Sequence, residues 1–476
     1  MTTFLWYDYE SHDKDPLYAR PASFAAIRTD MDLKQIGEPL HLLFRPANDF
    51  LPHPRALLIH RLQVSRLQRD GLPEVDCAHA IYKAKTIPET ISLGFNTATF
   101  DSKMTHALFH RNLLPQYRWH TGDNTRFDIH DVIRLVVAVE PSTLTIPLRD
   151  GSPSMRLEDL CKANDIDHEA HDALFDVRAT IALAQRIKTA HPDLWDLSIR
   201  NRTVPSLTNL LNPAKREIFL HAAPYYGADR SYVAPLLPMG TSDKNTMIAV
   251  DLARPLDQLL TLSAEEIRRL LFTRKEELPE GSIRPPLQTI RLNHSPAIIP
   301  LSTLSETRLQ HAKIDRDQCN KAAQTIHEAS NLFAKFASVM GREAFTEGNG
   351  EDLDDQVYGG GFASRPDENE MMRFLQIGPK KTAEAKPSFQ DTKYRRLHDR
   401  LVARNYPELM QTERRNIWDT LRLDYIHGRK PRKGLTLTEF NTELEQARTQ
   451  AATENDQAGL DLLSDLERYV SDLQRT

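Results

Sequence analysis

Cysteine is nearly absent from this chain of 476 residues, which holds only Cys77, Cys161 and Cys319. They lie far apart, are odd in number and form no C-x-x-C. That excludes a disulfide framework and a thiolate zinc site, and it suits a reducing compartment. Long hydrophobic runs are missing as well: no apolar stretch approaches the roughly 20 residues that span a bilayer. No basic segment followed by a hydrophobic one reads as a secretory signal. The expectation is a cytoplasmic protein without a membrane partner. Positive charge is not in excess, since 61 Lys and Arg against 66 Asp and Glu leave a formal net charge of −5. A surface coated in positive charge is excluded, so any nucleic-acid partner has to be met in a local basic groove. Internal repeats and long low-complexity tracts are also absent. What remains is an ordinary globular composition, 40% hydrophobic and 27% charged, in a chain too long for one core.

What is present begins in the first ten residues. Phe4-Leu5-Trp6-Tyr7 is the apolar run of a buried central strand, and it ends in Asp8-Tyr9-Glu10. Strand side chains alternate faces, so Asp8 and Glu10 share one face and Tyr9 takes the other. Further strands are expected over Phe24–Thr29, Ile36–Phe44 and Thr90–Gly94, the first two joined by a turn at 29–32. Helical spacing follows over 76–84, from Asp101 through Met104 and Leu108, over 131–139, around Leu157 and Leu160, and over 170–189. A meander followed by alternating helices and strands implies a mixed sheet covered by helices. From 215 to 345 the pattern changes to short strands at 219–222, 231–234, 247–252 and 289–292, with one helix near 264–273 and a helical run over 314–340. Residues 341–370 read as a Gly-rich, acidic linker, and the remainder reads as helical. The expected division is 1–198, 199–350 and 351–476.

Three acidic elements carry the chemistry. Asp8 and Glu10 repel each other unless something positive sits between them, and hard divalent cations favour carboxylate oxygen. On its own such a pair is equally a solvated strand end. Gly94 to Asp101 links a strand to a helix and sets Asp101 at the helix N-terminus, where simple helix-end electrostatics also accounts for a carboxylate. His171 and Asp176 are five apart, which converges only if His171 precedes the helix and Asp172 caps it. Together these residues are the kit for two-metal phosphodiester hydrolysis, in which a neutral histidine deprotonates the attacking water.

Asp8-x-Glu10, Asn96-x-x-x-Phe100-Asp101 and His171-x-x-x-x-Asp176 resemble the three motifs of the DEDDh exonuclease family, whose fold is RNase H-like. Other segments resemble one bacterial branch of that family more closely: Phe24 to Asp30, Leu157-Glu158-Asp159-Leu160, Ser231 to Leu236, Tyr358 to Phe362 and Arg400-x-x-Ala403-Arg404-Asn405. The likeness spans essentially the whole chain. It implies an α/β nuclease domain with a mixed sheet, then a domain containing an SH3-like β-barrel, then an α-helical C-terminal domain. It further implies a cytoplasmic, monomeric enzyme of DNA repair and recombination that digests single-stranded DNA processively from its 3′ end to 5′-mononucleotides. Two Mg²⁺ ions are the expected cofactors, with Mn²⁺ as a substitute. By position Asp8, Glu10, Asp101 and Asp176 are the implied metal ligands and His171 the general base. Glu10 and Arg156 are implied to meet the substrate, Asn96 stands in the second motif, and Tyr117, Trp119 and Phe127 are stacking or core candidates. The basic clusters Lys380-Lys381, Arg395-Arg396 with Arg400 and Arg404, and Arg429 to Lys433 are expected to line a backbone track. The family also suggests docking of the acidic, hydrophobic tail of single-stranded DNA-binding protein.

Overall fold

The structure, a computed structural model, describes residues 1–167, 172–329, 331–341, 352–359 and 361–475. The chain forms two compact units, one made of Met1–Thr125, His168–Thr180 and Thr346–Thr476 and the other of Arg126–Asp167 and Ile181–Phe345.

The first unit is built on β1 (Thr3–Ser11), which lies between β2 (Pro21–Thr29) and β4 (Thr90–Gly94) in a sheet ordered β3-β2-β1-β4-β5, with β3 at Leu40–Leu43 and β5 at Thr125–Asp128. β2 runs antiparallel to β1, pairing Asp8 with Ala25 and Glu10 with Ser23, while β4 runs parallel and pairs Trp6 with Leu93. Neighbours on both sides pair the edges of β1, and Phe4 to Tyr7 and all five residues of β4 are buried, as in a sheet covered on both faces. Tyr7, Tyr9 and Phe24 pack with Cys77, Ile81 and Tyr82 of α3 (Glu74–Lys85) and with Met104 and Leu108 of α4 (Asp101–Arg111). The predicted strand at 36–44 shortens to Leu40–Leu43 because Gly37 is left-handed and Pro39 has no N–H for a ladder.

Two helices that no motif marked, α1 (Pro54–His60) and α2 (Val64–Asp70), bring Leu57 and Val64 against Phe440, Leu444, Leu463 and Leu466 of the tail helices Leu437–Thr453 and Gln457–Arg475. The tail is therefore part of the first unit's core. The expected linker at 341–370 needs correcting where it is described: Leu353–Asp355 forms a buried turn and Arg365–Ile377 is a helix. Asp352 and Asp354 there, with Asp49, meet Arg20, Arg400, Arg404 and Arg432 in a buried ionic cluster. Arg400 lies 2.6 Å from Asp352, Arg404 2.7 Å from Asp49, Arg432 2.8 Å from Asp49 and Arg20 3.2 Å from Asp354. Arg400, Arg404 and Arg432 are thus not an exposed backbone track. Charge spacing in a sequence does not distinguish a solvated arginine from one satisfied by buried carboxylates.

The second unit holds α5 (Ile129–Val139), α6 (Leu157–Ala163), most of α7 (Ala173–Ala190) and an antiparallel sheet ordered β11-β10-β9-β8-β12. A two-residue hairpin, β6 (Leu148–Arg149) and β7 (Ser152–Pro153), turns at Asp150-Gly151, both with positive φ. The barrel strands are β8 (Phe219–Ala222), β9 (Val233–Asp243), β10 (Thr246–Asp251), β11 (Leu287–Arg291) and β12 (Ile298–Pro300). Register shifts along β9 and β10 bend the sheet over Phe219, Leu236, Met247, Ile290 and Ile298. β9 is longer than the four residues expected, because its outer half is polar and carries no alternation to read. The helical run at 314–340 is broken into Arg316–Glu328 and Leu332–Met340, with Asn331 left-handed between them.

Candidate active site

Strand alternation sets Asp8 and Glu10 on one face of β1, immediately before the register shift between Glu10 and Ser11. β4 approaches β1 closely here: a Cβ on Gly94 would stand 2.5 Å from the carbonyl oxygen of Tyr7, so only glycine permits this spacing beside Asp8. The chain then turns through the left-handed Asn96 into α4. Asp101, buried at the start of α4, accepts a hydrogen bond from the Tyr9 N–H at 3.2 Å. That bond ties the second acidic element to the strand bearing the first. Asp172 caps α7 as the sequence predicts, accepting from the Leu174 N–H at 2.9 Å, and this places Asp176 in the first turn.

The outcome is a convergence across 168 positions of sequence (176 − 8). Oxygens of Asp8, Glu10 and Asp176 all lie within 4.8 Å of one another. Among the described residues, the charged side chains that act most strongly on Asp8, namely Asp101, Asp176 and Glu10, are all carboxylates. Burial and this repulsion push the Asp8 carboxyl well above its ordinary range, and burial followed by Asp176 and Asp101 pushes Glu10 up to about 9. Such a donor set, all oxygen, fits hard divalent cations. Beneath it Lys85 is fully buried with its Nζ 2.9 Å from the centre of the Tyr7 ring. Burial lowers its pKa and Asp101 opposes that.

Glu10 also lines a cleft of about 460 Å³ with Tyr9, Lys14, His53, Arg55, Ile59 and Phe100. Sequence reasoning missed the contribution of 53–59. The available signal was Pro54 following His53, a helix start, and His53 does accept from the Arg55 N–H. His171 lies outside the described residues. Asn96 is exposed on the turn before α4. Arg156 stands at the N-cap of α6 in the second unit, with its side chain 63% exposed and 3.8 Å from Glu158. Tyr117 lines a different cavity of the first unit, 5.4 Å from the Phe362 ring, together with Arg118, Met371 and Tyr394. Trp119 and Phe127 are buried core residues.

Family models match three consecutive stretches: "Exonuclease" over 5–184, "Exonuclease I SH3-like domain" over 202–342 and "Exonuclease I C-terminal domain" over 351–473. Exodeoxyribonuclease I of Escherichia coli is 34% identical over 425 residues, covering 88% of each chain. The Haemophilus influenzae protein of that name is 33% identical over 428 residues, 88% of this chain and 90% of its own. The chain belongs to the exodeoxyribonuclease I family. It is accordingly a nuclease, and the exodeoxyribonuclease I architecture of mixed-sheet α/β nuclease domain, SH3-like barrel and helical C-terminal region is its fold. A solved exonuclease I from Methylocaldum szegediense matches with a TM-score of 0.90 and 32% identity, covering 100% of both chains. The E. coli exonuclease I structure in complex with a dA16 oligonucleotide matches equally well, with a TM-score of 0.90 and 32% identity over 99% of this chain and 100% of that one. As a member of a metal-dependent nuclease family, the chain has its acidic cluster where its fold centres, on β1.

Proposed function

We propose that this protein hydrolyses single-stranded DNA from the 3′ end, processively and to 5′-mononucleotides, in repair and recombination, with two Mg²⁺ ions that Mn²⁺ can replace. The observation that carries the reading is the convergence of Asp8, Glu10 and Asp176 within 4.8 Å beside a cleft. Asp8, Glu10, Asp101 and Asp176 hold the cations. When bound, the cations supply the positive charge that stabilises the attacking and leaving oxygens. His171, just ahead of the Asp172 cap, takes the proton from the attacking water. Glu10, at the edge of the cleft, meets the terminal nucleotide; Arg156 presents a planar fork to a backbone phosphate, and Asn96 and Tyr117 complete the substrate contacts. E. coli exonuclease I has been solved with dA16 and dT13 oligonucleotides, and another solved structure is of SSB/Exonuclease I in complex with an inhibitor. Those relatives support single-stranded DNA as substrate and SSB as partner, and we place the contact on the acidic, hydrophobic tail of that protein. The enzyme acts as a cytoplasmic monomer in three parts, 1–198, 199–350 and 351–476.

Digestion of 3′- and 5′-labelled DNA and RNA strands, with Mg²⁺ and with EDTA, tests the proposal. Loss of nucleotides from the 3′ end of DNA, dependent on Mg²⁺, is the expected result. Preference for RNA would reassign the substrate, and intact strands bound equally with EDTA would mean a non-catalytic scaffold.

A further inference from the structure

The second unit carries a cleft that the hydrolysis does not use. It encloses about 510 Å³ between the segment before β9, the end of β10 and the start of β11, within the range of ligand-binding pockets. Tyr226 and Arg230 line it but are committed elsewhere. The Tyr226 hydroxyl is bonded to His221 Nδ1 at 2.8 Å and accepts from Gln288 at 2.7 Å. Arg230 grips Asp251 with both terminal nitrogens, at 2.7 and 2.9 Å, and Asp229 acts on that same arginine. Besides the Asp229 carboxylate, which also lines the cleft, three lining groups remain available. Tyr225 is 61% exposed, with its ring 4.7 Å from that of Tyr226 and 6.3 Å from that of His221, so the exposed ring is backed by two others. Arg254 donates only to the Arg284 carbonyl oxygen at 2.8 Å, and Lys313 only to the Asp229 carbonyl oxygen at 3.4 Å. Among the described residues neither cation pairs with a carboxylate.

We propose that this cleft is a single-strand nucleotide subsite on the barrel. One unstacked base lies on the Tyr225 ring, and Arg254 and Lys313 take the adjoining backbone phosphates. The inference rests on the reading of single-stranded DNA as substrate and adds a place where the strand is held. A fixed ring face accepts any base, and unpaired cations beside it suit a polyanion. A proline-rich peptide, the other ligand that barrels of this shape take, docks on a row of exposed rings. Here one lining ring is exposed, and such a peptide would leave both cations without counter-charge.

The test is photo-crosslinking of the full-length protein, in EDTA, to a short oligothymidylate carrying 5-iodouracil, with adducts mapped by mass spectrometry and affinity read by anisotropy. An adduct at Tyr225 is expected. Tyr225→Ala combined with Arg254→Glu and Lys313→Glu should bind about tenfold more weakly, with a shallower salt dependence. Tyr225→Phe, which keeps the ring, should bind like the parent, and unchanged melting temperatures show that the variants fold. Adducts confined to other residues with unchanged affinity would overturn the subsite, as would binding of a proline-rich peptide that the oligonucleotide does not displace. The subsite fails alone if the parent still digests labelled DNA with Mg²⁺. It fails together with the functional reading if the parent neither binds nor digests.

Discussion

Asp8 is the residue on which the chemistry turns, because it is pressed by three other carboxylates. Repulsion of that kind is relieved by protonation, as the raised Asp8 and Glu10 carboxyls show, or by a bound cation. Asp8→Ala is therefore expected to abolish turnover while single-stranded DNA binding in EDTA stays near the parent value; normal digestion by the variant would remove the carboxylate cluster from the mechanism. His171 makes a separate prediction. His171→Ala should slow the chemical step by roughly 10²–10⁴ if it serves as base. Single-turnover digestion at saturating enzyme isolates that step, and an unchanged rate there would take His171 out of the role.

At the scale of elements, the site depends on how near β4 lies to β1. The absent side chain of Gly94 leaves room for the Tyr7 carbonyl, one residue before Asp8. A methyl group at that position has backbone on one side and the Thr97 side chain on the other, so the strand rather than a flexible tip has to move. Gly94→Ala is expected to cost about 1–3 kcal/mol of stability, the usual range for overpacking, and to lower turnover by displacing Asp8. Urea unfolding together with digestion assays checks both parts. Full activity with parental stability would show that the two strands tolerate wider spacing. The caps are legible in sequence at this scale, since Asp172 holds α7 as its position predicted. The break at Asn331 and the outer half of β9 are not, because neither changes the local hydrophobic period.

For the whole molecule, the helical tail is welded to the nuclease sheet by apolar packing and by charge. Removing residues 352–475 would strip Leu57 and Val64 of their cover, take Asp354 from Arg20 and take Arg404 and Arg432 from Asp49, leaving those two only their 3.9 Å contact with each other. Breaking one buried pair typically costs about 3–5 kcal/mol, so the truncated chain is expected to be unfolded by circular dichroism; a cooperative melting transition would contradict this. The ionic cluster also sets an acid limit. Burial alone would raise the Asp49 and Asp354 carboxyls, but the surrounding guanidiniums, Arg404 foremost, outweigh it and hold both below their ordinary 3.8. A carboxyl depressed in the folded state contributes stability that is complete above its unfolded value and is lost as pH falls through the folded one. Unfolding free energy should therefore decline more steeply below about pH 4 in the parent than in Asp354→Asn. Parallel profiles in urea titrations would dissociate the cluster from acid stability.

The chemical inventory and the strand pattern were written in the sequence. A two-residue period puts Asp8 and Glu10 on one face wherever the strand goes, and an Asp-capped helix puts Asp176 in its first turn, because both rules are local. Only the tertiary structure decided that positions 8, 10 and 176 meet within 4.8 Å and that Asp101 takes a hydrogen bond from the Tyr9 backbone. It alone decided that Arg400, Arg404 and Arg432 face buried carboxylates rather than solvent. The reason is that burial and long-range proximity follow from which surfaces exclude water together, and a charged side chain has the same local signature in either setting.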